Sequence, residues 1–334
     1  MRSAALLSIA AITLCLAGCS TAEHATPDGA ASTLAFTGTQ NANLYVADLS
    51  AITVYAPGSD SPLRSIPHLE PSAIALDGSG NLYVANIPTK GSGDVTVFRA
   101  AKSSILRKIS NGVADPRALT FDAAGNLYVA NSYFRVAEYA PGKTAPERDF
   151  KVFYPAALAF DHSGNLYAAS DPSPYGGKGH SKILVFGPEG KLLRTIVNGL
   201  HSPVALAFSS VGNLFVANYD ANTITIYAPG KISVARTISQ GIKGPYALVF
   251  DGSGSLYVAN NLASTVTEYA SGKSEVALTI RQGVSHPTAL RLDVAGNLYV
   301  ANAKSITVYA PGATAPMQTI VKGVNSPIAM EFGP

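Results

Sequence analysis

Residues 126–130 read Asn-Leu-Tyr-Val-Ala, and the same five residues recur at 43–47, 81–85 and 297–301. Near copies begin at Asn165, Asn213 and Ser255, which makes seven copies at intervals of about forty-two residues. Each copy lies within a longer repeat: Pro-x-Ala-Leu-x-Phe-Asp, a turn with glycine, the five-residue motif, then Ile-Thr-Val-Tyr-Ala-Pro-Gly and Arg-x-Ile. These short runs of β-branched and aromatic residues, separated by turn residues, predict four strands in each of seven units.

The five-residue motif is apolar at consecutive positions, whereas a strand with one wet face would alternate. Both faces of this strand must therefore be buried, which happens when each four-stranded sheet lies between two similar sheets. An open stack would leave its two end sheets exposed, and no polar capping repeat is visible. The sequence predicts an all-β protein: a seven-bladed β-propeller of four-stranded antiparallel blades.

The two ends of the repeat region indicate how the ring closes. The unit at Asn43 lacks a clear Pro-x-Ala-Leu-x-Phe-Asp before it, whereas the chain ends with a spare one, Pro327-Ile-Ala-Met-Glu-Phe332. We expect this C-terminal strand to complete the first blade and remove free sheet edges. The segment Thr33–Phe36 competes for the same inner position, and the sequence does not decide between the two.

The first forty residues predict export and anchoring. Arg2 precedes an apolar stretch too short to span a membrane, as in a secretory signal peptide. The junction Leu16-Ala17-Gly18-Cys19 resembles a bacterial lipobox, which implies cleavage before Cys19 and its acylation. The predicted domains are a signal peptide (1–18), a lipidated cysteine with a flexible tether (19–40) and the propeller (41–334). Ser20 favours sorting to the outer membrane of the bacterial cell envelope over retention at the inner membrane.

Over essentially all of residues 41–332, the repeat resembles NHL-type repeats, close to those of propeller lipoproteins and of the gluconolactonase and streptogramin lyase propellers. The resemblance implies the propeller fold. It leaves function open, because propellers of this kind serve as binding platforms and, less often, as enzymes. Gluconolactonases would imply a divalent metal held by Glu, Asn and Asp on different blades, but no acidic residue of this chain stands out at the start of an inner strand, where alanine recurs.

Two polar sets recur at strand ends. We expect the first set, at the end of each first strand, to cap its own turn: Asp77, Asp122, Asp161, Asp251 and Asp293. The second set ends the second strands on the opposite face, and its members either bind ligand hydroxyls or bond to neighbouring loops: Asp48, Asn86, Asn131, Asn218, Asn260 and Asn302.

Asymmetric residues on that second face are further candidates. The longest loop begins at Asp171, and loops of this kind often carry function. His68, His201 and His286 precede the prolines of three first strands. A metal site would need His201, His286 and a carboxylate such as Asp115 or Asp171 to converge; otherwise these are exposed loop histidines.

The function predicted from sequence is a membrane-anchored binding or scaffold propeller that presents an asparagine-lined face to a glycan, peptide or protein. The alternative is a metal-dependent lactonase or lyase of the gluconolactonase or streptogramin lyase type. No cofactor is predicted for the first hypothesis, and a divalent metal is needed only for the second. With a net charge of +3 and no basic run, nothing indicates a nucleic-acid partner.

Overall fold

The computed structural model describes residues 42–67, 69–132, 134–171 and 180–334. Within these ranges the chain forms strands and no helix, so that no helix there is long and apolar enough to cross a membrane. The strands form seven four-stranded antiparallel sheets, which confirms the predicted fold class. The predicted signal peptide, Cys19, the tether, Thr33–Phe36 and His68 lie outside the described residues.

Six of the sheets each use four consecutive strands. The first of these has inner strand β4, second strand β5, third strand β6 and outer strand β7, and the others follow the same order. The bounds of the 24 strands are, by blade: blade 2, β4 (Pro71–Leu76), β5 (Leu82–Asn86), β6 (Asp94–Phe98), β7 (Ile105–Ile109); blade 3, β8 (Pro116–Phe121), β9 (Leu127–Asn131), β10 (Arg135–Tyr139), β11 (Arg148–Lys151); blade 4, β12 (Pro155–Phe160), β13 (Leu166–Ser170), β14 (Lys182–Phe186), β15 (Leu192–Ile196); blade 5, β16 (Pro203–Phe208), β17 (Leu214–Asn218), β18 (Thr223–Tyr227), β19 (Arg236–Ile238); blade 6, β20 (Pro245–Phe250), β21 (Leu256–Asn260), β22 (Thr265–Tyr269), β23 (Leu278–Ile280); blade 7, β24 (Ala289–Leu292), β25 (Leu298–Ala301), β26 (Ile306–Tyr309), β27 (Gln318–Ile320).

Blade 1 joins the two ends of the chain. It consists of β28 (Ala329–Gly333), β1 (Asn43–Asp48), β2 (Ala51–Tyr55) and β3 (Pro62–Pro67), in that order. The inner strand β28 pairs antiparallel with β1, with Leu44 opposite Phe332. The C-terminal segment therefore completes the first blade, as the sequence predicted.

The inner strands form a closed ring, since each contacts the inner strand of the next blade and β28 contacts both β24 and β4. The ring has two faces. The proline face carries the prolines that precede or begin the inner strands and the crossover loops, each of which runs from the outer strand of one blade to the inner strand of the next. The turn face carries the turns between first and second strands and between third and outer strands.

The aspartates on the turn face cap their turns, as predicted. Asp77 Oδ1 accepts the backbone N–H groups of Ser79 and Asn81, both at 2.9 Å, and its Oδ2 accepts the Asn81 side-chain amide at 2.9 Å. Equivalent backbone bonds are made by Asp122, Asp161, Asp251 and Asp293. These carboxylates fix the reversal between the first and second strands of five blades.

The second strands are buried on both faces between neighbouring blades. Every residue of β5, β9, β13, β17 and β21 is buried. In five blades the aromatic residue of the repeated motif packs edge-to-face on an aromatic ring of the next inner strand, as Tyr83 does on Phe121 with ring centroids 5.0 Å apart. Tyr299 of blade 7 meets Phe332 of blade 1 at the same distance. The closing interface thus has the geometry of four other interfaces.

Ring closure can be tested by comparing equivalent core positions. Met330 in β28 and Leu290 in β24 occupy the same place in their strands, and both are fully buried. We expect Met330→Ala and Leu290→Ala each to lower the free energy of unfolding by about 2–5 kcal/mol, because each leaves a cavity in the core. Urea denaturation measures both. A near-neutral Met330→Ala beside a costly Leu290→Ala would contradict the closure.

Candidate functional site: the proline face

The asparagines that end the second strands are buried beneath the crossover loops. The Oδ1 atoms of Asn131, Asn218, Asn260 and Asn302 accept backbone N–H groups of the crossover loop leading into their own blade, at 2.7–3.1 Å. In blades 5 to 7 the Nδ2 atom also donates to a threonine hydroxyl of the third strand at 3.0 Å. These amides are engaged in holding the loops, and their predicted contact with a ligand stays a prediction.

A tyrosine at the end of the third strand holds the same loop from a second side. The hydroxyl of Tyr139 donates to the Asn111 carbonyl at 2.8 Å, and burial raises the pKa of Tyr139 to about 12. Equivalent bonds to loop carbonyls are made by Tyr55, Tyr227, Tyr269 and Tyr309. Five crossover loops are therefore fixed to the blade that they lead into.

Blades 2 and 4 depart from this arrangement. Phe98 and Phe186 replace the tyrosine, and the crossover loops into these blades are shorter. In blade 4, Ser170 takes the asparagine position and donates to the Phe153 carbonyl at 2.5 Å. In blade 2, Asn86 keeps its amide bonds to Asp94 and Thr96, but its buried Oδ1 accepts no hydrogen bond. The same two blades have the longest loops between the second and third strands.

The predicted histidines and Asp171 lie on the proline face but do not form one cluster. His201 and His286 are exposed in the crossover loops into blades 5 and 7, and His286 donates its backbone N–H to Ser264 Oγ at 3.1 Å. Asp171 is buried in blade 4 and accepts a bond from Ser181 Oγ at 3.3 Å. Among the described residues, no three histidine, cysteine or acidic side chains are grouped so as to hold a metal ion.

The strongest asymmetry of the proline face lies beside the inner-strand prolines. Five non-glycine residues directly before a proline have φ between +45° and +55°, a region that such residues rarely adopt: Asp115, Tyr154, Ser202, His286 and Ser326. From blade 2 to blade 7 and then blade 1, the residues before the proline are Glu70, Asp115, Tyr154, Ser202, Gly244, His286 and Ser326. The residues after it are Ser72, Arg117, Ala156, Val204, Tyr246, Thr288 and Ile328.

Some of these side chains make contacts that set their positions. Arg117 Nε donates to Ser132 Oγ at 2.8 Å, and the Ser202 hydroxyl donates to the Asp220 carboxylate. The Tyr246 ring lies 6.1 Å from the Tyr219 ring in an edge-to-face arrangement. Of the residues beside the prolines, only Asp115 and His286 were predicted as candidates from the sequence. Across the seven repeats the positions beside the proline vary, while the alanine that begins the adjacent Ala-Leu pair recurs.

The fold and this face define the chain as a seven-bladed β-propeller with one chemically varied end. Neither a family model nor a curated relative matches it. Among solved structures, it is similar to hydrazine synthase from Kuenenia stuttgartiensis, with a TM-score of 0.69 and 16% identity over 81% of this chain and 92% of that one. It is also similar to a protein from Bacteroides uniformis provisionally described as a 6-phosphogluconolactonase, with a TM-score of 0.70 and 15% identity over 88% and 100% of the two chains. At these identities the likeness shows the fold alone.

Asp48 occupies the asparagine position in the closing blade. Its Oδ1 accepts the Asn325 backbone N–H at 3.1 Å, as the asparagines do with their own loops. Burial raises the pKa of Asp48 to about 7, and the Asn325 bond offsets part of that rise. A protonated carboxyl has an O–H donor in place of the amide Nδ2, whereas a carboxylate has none. The closing blade therefore carries a titratable version of the buried amide.

We expect Asp48→Asn to remove a pH dependence of stability. The folded carboxyl keeps its proton up to about pH 7 and the unfolded one loses it near its ordinary pKa of 3.8. The contribution of Asp48 to the free energy of unfolding is therefore fully present below about pH 4 and falls by up to about 1.4 kcal/mol per pH unit as pH rises to 7. Urea denaturation of both proteins at pH 5 and pH 8 measures the difference.

Asn302→Asp is the matched control, because it places a carboxyl in the same position of blade 7. We expect it to add a pH dependence of the same sign. If native protein and Asp48→Asn respond equally to pH, Asp48 does not titrate as described.

Proposed function

We propose that the chain is a non-catalytic binding propeller, exported and held at the outer membrane of the bacterial cell envelope by an acylated Cys19, and that its proline face binds a glycan. One observation carries the proposal: in a repeat that is otherwise nearly uniform, the residues on both sides of the inner-strand proline differ from blade to blade. Positions that hold the same residue in every blade serve the repeated packing. Positions on the proline face that vary from blade to blade are free to match an irregular ligand.

The composition of this varied ring favours a glycan. It offers the partly exposed Tyr154 ring, the exposed His286, and charged groups of both signs in Asp115 and Arg117. Aromatic faces and hydrogen-bonding groups without a dominant charge suit a polyhydroxylated ligand. Because the asparagine amides are buried and engaged, the proposed contact surface consists of those residues beside the prolines that keep exposed surface and of the exposed loop residues around them. Others beside the prolines, such as Tyr246, are buried.

The backbone conformation of the residues before the prolines also favours the proline face as the binding surface. Asp115, Tyr154, Ser202, His286 and Ser326 all have positive φ. Such conformations cost on the order of 1 kcal/mol or more each and persist where the surrounding structure holds them. In five blades the side chain before the proline is therefore held in one direction relative to the ring, which is the preorganisation that specific binding requires.

A glycan-array screen with the native chain, followed by calorimetry on the best ligand, tests this function. We expect Arg117→Ala to weaken binding by about tenfold or more, because it removes charged hydrogen-bond donors from the ring. Lys191→Ala, an exposed change on the turn face, is the control and should leave affinity unchanged. Absence of glycan binding by the native chain, or equal losses in the two variants, would contradict the proposal.

The metal-dependent alternative makes a different prediction. It requires that EDTA lower the melting temperature of the native protein and that His201→Ala abolish this shift. That pair of results, with no glycan bound, would replace the binding function by the lactonase or lyase hypothesis.

A further inference from the structure

The turns between third and outer strands carry lysines at an equivalent place in five consecutive blades. In blades 2, 3, 5 and 6 the lysine is the fourth residue of the turn, and its backbone N–H donates to the carbonyl of the first residue at 2.9–3.0 Å. In blade 4, Gly190 takes that place and the lysine follows it. All five side chains are exposed, and we call this set the lysine arc: Lys102, Lys143, Lys191, Lys231 and Lys273.

Contacts between blades bring these turns side by side. Arg148 of blade 3 donates to the Pro188 carbonyl in the turn of blade 4 at 2.9 Å, and Arg236 of blade 5 donates to the Gly272 carbonyl in the turn of blade 6. The lysines are 40 to 48 residues apart in sequence, close to the repeat length. The fold therefore brings together, along one rim, lysine side chains that are far apart in the sequence.

Charge on this rim is not cancelled by ion pairs. Among the described residues, none of the five lysines forms a salt bridge. Exposed acids on the same turns are fewer, with Glu147, Glu189 and Glu275 in blades 3, 4 and 6. The turn-capping aspartates add carboxylates to this face, but they lie at the turns between first and second strands, next to the inner ring, whereas the lysines lie at the turns beside the outer strands.

We propose that the lysine arc seats the turn face of the propeller on an anionic lipid surface. Each lysine close to such a surface strengthens binding by roughly fivefold, so five on one rigid rim act together. The same face exposes apolar side chains at its turns, including Val211, Ile232 and Val294, which suit shallow contact with the headgroup region.

The path of the chain agrees with this orientation. Strand β1, the first strand of the described chain, begins at Asn43 on the turn face, the face that carries the arc. With the turn face against lipid, the proline face points away from the membrane and is open to ligand. The arc itself does not depend on acylation of Cys19 or on glycan binding.

Vesicle co-sedimentation tests the surface without the anchor. All seven blades and the ring closure lie within residues 42–334, so residues 20–334, lacking any acyl chain, present the same rim. We expect binding to vesicles that contain phosphatidylglycerol, no binding to pure phosphatidylcholine vesicles, and weakening by added salt. Changing all five arc lysines to glutamine should reduce affinity on the order of a hundredfold or more.

Five lysines of the proline face form a matched control with the same change in net charge: Lys90, Lys151, Lys182, Lys243 and Lys304. Their replacement by glutamine should leave most vesicle binding intact. Equal losses in the two variants, or no binding of the native chain to anionic vesicles, would overturn the proposal. Inorganic phosphate that competes no better than chloride at equal ionic strength supports a lipid surface, whereas stronger competition by phosphate would assign the arc to free phosphate instead.

An unchanged melting temperature of the arc variant confirms that its loss of binding comes from charge and not from unfolding. Glycan affinity of the same variant should equal that of the native chain, which separates the lipid surface from the function of the proline face.

Discussion

Burial of the second strand on both faces is the constraint on which the rest of this structure depends. Val46, Val84, Val129 and Val300 in the middle of these strands have no exposed surface, because sheets on both sides cover them. No single four-stranded sheet provides that cover. Each blade therefore needs two neighbours, and the ring is the arrangement in which every blade has them without leaving an open edge.

Closure follows from the same constraint. Blade 1 obtains its inner strand from the far end of the chain, and Phe332 then receives Tyr299 as Phe121 receives Tyr83. This pairing was predictable, since the spare Pro327–Phe332 segment matches the one element that the first unit lacks. The turn aspartates were also predictable, because a short acidic side chain followed by glycine satisfies local backbone donors.

The role of the buried amides was harder to predict. Sequence placed Asn218 and its equivalents at strand ends on one face but left two roles open, because the path of the crossover loop decides whether an amide is covered. The loop lies over the amide and is also bound by Tyr227. Most of the varied residues beside the prolines, and the lysine arc, were missed for another reason: both sets are scattered at the repeat interval, so that only superposed blades bring them together.

Most residues of the repeat stabilise the blades, and the two proposed functional sets lie on opposite faces. The set beside the prolines varies from blade to blade, whereas the lysine arc is itself repeated along the outer turns. Asp48 departs from the repeat inside the structure, at the blade that closes the ring, as the buried Ser170 does in blade 4.

Hydrogen exchange of the backbone amides in Ala329–Gly333 tests closure of the ring most directly. The account predicts protection comparable to that of Ala289–Leu292, the inner strand of the adjacent blade, because both strands are paired within a sheet and enclosed by neighbouring blades. Exchange of the C-terminal amides at the rate of an unfolded chain, while Ala289–Leu292 stays protected, would contradict it.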